Sequence, residues 1–288
     1  MKSLLEYYQN IPLHIDPVAF TISSFPVGWY AVMYMLAFLI AYLLLMYRTK
    51  KKEGIYDKDL IIDFMILALV AALLGGRLGY VLLYNPVYYF HNLWSIISPY
   101  DFVTGEFIGI YGMSYHGGLL AIIVAGFIFL RKKLINNKPI NFWRFADFVV
   151  PVIPAGYFFG RIGNFLNLEL YGRITNSWIG MYFPIFTGAG QFLRFPSQLL
   201  EALLEGAVLF IILWSIRNRS KFSGQLLAVY LVGYGFFRMM AEFFREPDEQ
   251  IGLLLQYFTL GQIFSLLMIC VGISVYFWRK NKIIDYLS

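Results

Sequence analysis

Apolar residues in this chain neither alternate nor mark one helical face; they run on for the length of a bilayer and stop at short polar clusters. Seven runs are legible, at about Trp29 to Tyr47, Leu60 to Leu83, Ser114 to Leu130, Phe148 to Phe165, Leu199 to Ile216, Gln225 to Phe244 and Leu260 to Trp278. A helix of about 20 apolar residues spans the hydrocarbon of a membrane, because each residue rises about 1.5 Å. The pattern predicts an all-α membrane protein of seven transmembrane helices, forming a single polytopic domain over residues 1–288.

The connectors alternate in charge. Arg48, Lys50, Lys51, Lys52 and Lys58 follow the first run, and Arg131, Lys132, Lys133, Lys138 and Arg144 follow the third. Arg217, Arg219 and Lys221 follow the fifth, and Arg279, Lys280 and Lys282 the seventh. Between them, Tyr84 to Gly112 carries no Lys or Arg. Basic connectors stay in the cytoplasm, so the N-terminus is expected outside and the C-terminus inside. The two long outer connectors, about 84–112 and 169–198, are rich in aromatics, Gly and Pro, with Tyr88, Trp94, Trp178 and Phe183 among them. Interfacial segments and a small periplasmic cap are expected there.

Composition agrees: 59% of residues are apolar and 14% charged, outside the range of soluble domains. The net charge of +6 sits in the inner connectors, so it reads as a topology signal and excludes a nucleic-acid groove. The single cysteine, Cys270, lies in the last apolar run and allows no internal disulfide. Lys2 is followed by Glu6, Pro12, His14 and Asp16 before any long apolar run, which does not resemble a cleaved signal peptide, so the first span is expected to target the chain.

Ionisable groups at membrane depth cost several kcal/mol, so the exceptions to the apolar pattern carry the chemistry. The run Phe148 to Phe159 ends in Gly160-Arg161-Ile162-Gly163-Asn164-Phe165-Leu166-Asn167-Leu168-Glu169-Leu170-Tyr171-Gly172. As a helix, this puts Arg161, Asn164 and Leu168 on one face and makes Gly156, Gly160 and Gly163 a seam for another backbone. Arg238, Glu242 and Arg245 share a second face, with Tyr234 one turn further in, and Arg238 lies roughly 10 Å below the outer end of its helix. Arg77, in Gly75-Gly76-Arg77, approaches the outer end of the second span.

Four arginines on the outer side exceed the carboxylates Glu169 and Glu242, although Arg238 and Glu242 can also pair with each other. His116 precedes Gly117 and Gly118, which admit a ligand or a backbone. Tyr30 opens the first span, and Pro196-Ser197-Gln198 with Glu201 and Glu205 marks a capped helix start, with Glu201 a further polar group. Asp63 and Asp147, near the inner ends, are expected to pair with basic connectors. Guanidinium groups bind phosphate oxygens in pairs and stay charged when desolvated, so the outer arginines point to an anionic lipid headgroup.

These motifs closely resemble the prolipoprotein diacylglyceryl transferase family. The similarity runs from Trp29-Tyr30 through Gly75-Gly76-Arg77, His116-Gly117-Gly118, the Gly160 to Gly172 signature, Pro196-Ser197-Gln198 and Arg238 to Asp248. It implies a multi-pass enzyme of the bacterial inner membrane, with its active site facing the outer leaflet. The activity implied is transfer of diacylglyceryl from phosphatidylglycerol to the lipobox cysteine of a preprolipoprotein, forming a thioether and releasing glycerol phosphate. The family's essential positions correspond to Tyr30, Asn164 and Gly172; Arg161, Glu169, Arg238, Glu242 and His116 match positions implicated in activity. Ala31, Tyr115 and Leu168 depart from the usual residues, Leu168 standing where Gly is more common.

The chemistry fits those residue types. An ordinary thiol has a pKa near 8.5 and is only a few per cent ionised at neutral pH, so the attacking sulfur needs a base or a positive field. His116, Glu169 and Glu242 are the three candidates for the base. Arg161 and Arg238 are expected to hold the departing phosphate, with Arg77, Arg245, Tyr234 and Glu201 lining the site and Asn164 orienting a substrate. Gly172 is expected to supply a backbone conformation or a close approach. No metal or cofactor is implied. The rival reading is a lipid transporter or flippase with no chemical step, against which stands the lack of paired, interrupted spans in two halves.

Overall fold

The structure, a computed structural model, describes residues 4–23, 25–84, 86–98, 100, 112–135, 138–184, 192–246 and 259–287. Residues 85, 99 and 101–111 of the outer connector at 84–112 lie outside these residues, as do Pro247 and Asp248 of the arginine motif. Seven long helices are described: α1 (Trp29–Lys50), α2 (Lys58–Leu83), α3 (Tyr115–Lys132), α4 (Phe142–Leu166), α5 (Ser197–Ile216), α6 (Gln225–Glu242) and α7 (Leu260–Leu287). Six of them, α1 to α5 and α7, are long and apolar enough to cross a membrane. The 18-residue α6 is not among those six, because Gln225, Arg238 and Glu242 dilute its apolar content.

Two helices are interrupted in ways the sequence explains only in part. In α4, Pro151 and Pro154 lack the N–H that an α-helix needs, and a 3₁₀ turn at Val150–Val152 joins its two segments. In α5 a π-helical turn covers Ala202–Val208. Its composition gives no warning, but π-turns concentrate at functional sites because they re-aim side chains.

The chain forms two compact units, residues 1–53 with 143–288 and residues 54–142. In the first, α1 packs along α4, α5 against α4 and α6, and α6 along α7. Val150, Leu209 and Leu213 form a buried core against Tyr234 and Phe237. The predicted glycine seam of α4 is partial: Gly163 faces Met33 and Gly156 faces Ala37, both on α1, while Gly160 borders open space.

At one end of this unit Asp147 accepts hydrogen bonds from the Gly224 and Leu227 amides, at 2.7 and 2.9 Å. It therefore caps the start of α6 and does not pair with a basic connector as expected, because the orphan N–H groups of a helix N-terminus also attract a carboxylate. Beside it, Arg48 is only 2% exposed, bonded to the Asp147 and Phe148 carbonyls and to Glu53 at 2.8 Å. Glu53 also receives Arg217 at 3.2 Å. Burial alone raises the Glu53 carboxyl, but its two arginine partners prevail and hold it below its ordinary value.

In the second unit α2 and α3 meet through glycine. A Cβ on Gly117 would lie 2.4 Å from the Gly75 carbonyl oxygen and 2.8 Å from the Gly79 Cα. The glycine beside His116 thus admits a backbone, the closer of the two options its sequence offered. Ser114 caps α3 by accepting from the Gly117 amide, and Asp57 caps α2 by accepting from the Leu60 amide. Lys133 pairs with Asp63 at 2.7 Å, as expected for Asp63.

Candidate active site

The signature at Gly160 to Gly172 is a helix end and not a continuous helix. α4 stops at Leu166, and the chain turns through Leu168 and Leu170, both at φ +56°. Leu168 therefore leaves the face that carries Arg161 and Asn164, which corrects the all-helical reading. A left-handed conformation costs a non-glycine residue roughly 1–2 kcal/mol, and this accounts for a site where glycine is the more usual residue.

The strained turn is tied down on every side. The Glu169 amide donates to the Asn164 carbonyl, Gln198 Nε2 donates to the Glu169 carbonyl at 2.6 Å, and Ser197 Oγ donates to that of Leu170. Asn164 Nδ2 in turn donates to Glu169 Oε1 at 2.8 Å. Gly172 donates its amide to Phe195 and forms an antiparallel bridge with Arg245. A Cβ at Gly172 would sit 2.3 Å from the Phe244 carbonyl oxygen and 2.8 Å from that of Phe195. Three backbone segments converge there, so close approach, and not an unusual φ, requires glycine. Phe165, Met181 and Phe183 pack beneath this turn with Tyr8, Ile11 and Tyr171, and Arg194 reaches the Gly172 carbonyl and pairs with Glu246.

Inside this end of the unit, charged residues of α4, α5, α6 and the segment just after α6 meet around one carboxylate. Glu201 is fully buried, and its Oε2 lies 2.9 Å from Arg161 Nε, 3.1 Å from Arg238 Nη1 and 3.9 Å from Arg245 Nη1. Arg238 Nη2 pairs with Glu242 at 2.6 Å. Arg161 Nη1 donates to Asn164 Oδ1 at 3.1 Å and links this cluster to Glu169. The Arg238–Glu242 pair that the sequence allowed is present, yet it does not close on itself, because Arg238 also faces Glu201.

The excess of arginine over carboxylate expected from sequence does not persist here. Glu201 and Glu205, both 0% exposed, add two carboxylates to the cluster. Physical necessity favours this balance, since several guanidinium groups cannot be desolvated together without counter-charges.

Two participants, Tyr157 and Gly261, escaped the sequence reading, and a third, Glu205, was read there only as part of a helix start. Tyr157 accepts from Arg161 Nε at 2.7 Å and donates to Glu205 Oε2 at 2.6 Å, and its ring meets that of Tyr234 edge-on at 5.6 Å. Tyr157 stands four residues before Arg161 and Glu205 four after Glu201, so helical spacing held the signal. Gly261 stands at the start of α7, where a Cβ would lie 2.6 Å from the Glu242 carboxylate. Nothing local in the sequence marks it.

Other expected residues lie as follows. Tyr30 opens α1 beside Gly163, its hydroxyl 3.0 Å from that of Tyr34. Arg77 and His116 belong to the second unit. Arg77 donates to the Ser95, Ile96 and Gly112 carbonyls and lies over the Tyr89 ring. His116 is exposed in the first turn of α3.

The family model of prolipoprotein diacylglyceryl transferases matches residues 17–278. Among similar proteins, the phosphatidylglycerol–prolipoprotein diacylglyceryl transferase of Chlorobaculum tepidum is 42% identical over 284 residues, covering 98% of this chain and 96% of its own. Proteins of the same name from Campylobacter lari and Aliarcobacter butzleri are each 41% identical, covering 96% and 97% of this chain and 98% and 99% of their own. A match that runs through α1 to α7, and takes in the Arg161, Gly172 and Arg238 segments alike, makes this chain a member of the prolipoprotein diacylglyceryl transferase family.

Proposed function

We propose that the protein transfers the diacylglyceryl group of phosphatidylglycerol to the lipobox cysteine thiol of a preprolipoprotein. The observation that carries this reading is the near-complete match to proteins named for that reaction. The sulfur attacks the glycerol carbon that bears the phosphate ester, a C–S bond forms, the C–O bond breaks, and glycerol phosphate departs with the bonding electrons. The thiol proton passes to a base, for which His116, Glu169 and Glu242 are the candidates.

Arg161 and Arg238 are assigned the phosphate. Both are held rigidly by Glu201, which suits groups that must stabilise charge without reorganising. Asn164, fixed between Arg161 and Glu169, is assigned to orient a substrate. Gly172 keeps the turn beneath the site closed, Tyr30 lines it beside α4, and Arg245, Tyr234 and Glu201 complete the lining; Arg77, in the second unit, is assigned a contact to an anionic headgroup. The reading includes seven spans in one polytopic domain, α6 among them, since its charges belong to the site. Alternating basic connectors support an N-terminus outside and a C-terminus inside, in the bacterial inner membrane. The packed cluster of Phe165, Met181 and Phe183 is then a small periplasmic cap, and the site faces the outer leaflet.

The test is purified protein in detergent with phosphatidylglycerol and a lipobox peptide, following glycerol phosphate release and peptide mass. Release coupled to a diacylglyceryl mass gain, absent with a Cys→Ser peptide, supports the transferase; lipid binding without release refutes it.

A further inference from the structure

The Nε edge of Arg161 is held by an uncharged side chain, Tyr157, as well as by the carboxylate of Glu201. Tyr157 meets it twice, accepting from Nε at 2.7 Å and lying under the guanidinium with its ring centroid 4.9 Å from Cζ. A tyrosine hydroxyl has one proton. Since it accepts from Arg161, it must donate elsewhere, and its partner at 2.6 Å is Glu205 Oε2, with Glu201 Oε2 more distant at 3.5 Å. The order is therefore fixed as Arg161 to Tyr157 to Glu205.

Glu205 is fully buried and lies within the π-turn of α5. Arg238 Nη1 stands 4.0 Å from its other oxygen, too far for a strong pair. A buried carboxylate is costly unless it is hydrogen-bonded, and the Tyr157 hydroxyl supplies that bond and links it to Arg161. With Nε fixed from this side and Nη1 on Asn164, Arg161 Nη2 makes no hydrogen bond to a described residue, and its direction is set by the other two.

We infer that Tyr157 and Glu205 are positioning residues that aim Arg161 at the phosphate of the lipid substrate. This rests on the transferase reading above. Neither residue needs to touch substrate: the hydroxyl and the carboxylate act through the guanidinium.

The experiment is a double-mutant cycle on purified protein with phosphatidylglycerol and lipobox peptide, reading kcat and KM for each substrate. Tyr157→Phe is expected to lower kcat at least tenfold with KM for the peptide unchanged. In an Arg161→Ala background the same change is expected to cost less than twofold, since the group it aims is gone. Glu205→Ala should match Tyr157→Phe, whereas Glu205→Gln, whose carbonyl still accepts from the hydroxyl, should recover most of the loss. Should Tyr157→Phe not fold, the Glu205→Gln and Glu205→Ala pair in both backgrounds decides. Effects that multiply with Arg161→Ala, or a fully active Tyr157→Phe, overturn the inference. Wild-type protein that forms no thioether overturns the transferase reading instead.

Discussion

Glu201→Gln removes the charge shared by three arginines while keeping the shape of the side chain. At an effective dielectric of about 20, opposite charges near 3 Å attract by on the order of 5 kcal/mol. Two such contacts, to Arg161 at 2.9 Å and Arg238 at 3.1 Å, make the gross attraction large. Desolvating a fully buried carboxylate takes back several kcal/mol, and removing one partner of a buried pair costs about 3–5 kcal/mol net. Glutamine still offers one acceptor oxygen, so a loss of about 3 kcal/mol is expected. Unfolding titrations in mixed detergent micelles measure it, alongside turnover with phosphatidylglycerol and lipobox peptide, where a fall of at least tenfold in kcat is expected as Arg161 and Arg238 lose their common anchor. A variant within about 0.5 kcal/mol of wild type and fully active would refute the claim that this carboxylate holds the arginines in place.

Gly172→Ala puts a Cβ against two backbone carbonyls that cannot move independently; turnover should fall at least tenfold, while Gly160→Ala, beside open space, should remain active in the same assay. Gly117→Ala forces α2 and α3 apart, and overpacking of this kind costs about 1–3 kcal/mol, read as a lower unfolding midpoint. Glu53 supplies a pH test. Its folded pKa is depressed below its ordinary value of 4.5 by Arg48 and Arg217, so its contribution is present above that value and is lost as pH falls through the lowered one. The stability gap between wild type and Glu53→Gln should be about 1.5–3 kcal/mol at pH 7 and should shrink as pH falls below 4.5; a gap independent of pH would exclude the carboxylate as its source.

The helices were legible in the sequence because apolar runs of bilayer length have few other structures available to them. The arginines, Asn164, Glu169 and Gly172 stood out for the same reason, being polar or conformationally special where the chain is otherwise apolar. Asp63 found its lysine because Asp63 lies on α2 and Lys133 directly follows the neighbouring α3. Charge balance was not legible: Glu201 and Glu205 lie near the start of a span, where sequence cannot distinguish a helix cap from a buried counter-ion. Asp147 illustrates the same limit, since backbone amides of α6 compete with lysines and leave no trace in the side-chain pattern.

Sequence by itself determined where the chain runs through apolar surroundings, which residues are exceptions, and the family they mark, because these depend on composition and local order. Only the tertiary structure decided that Leu168 leaves the helix, that Gly172 is pressed between two carbonyls, and that one carboxylate oxygen lies among Arg161, Arg238 and Arg245. Those facts depend on distances between segments far apart in sequence, and a buried charge acquires its role from the partners that folding brings within about 3 Å.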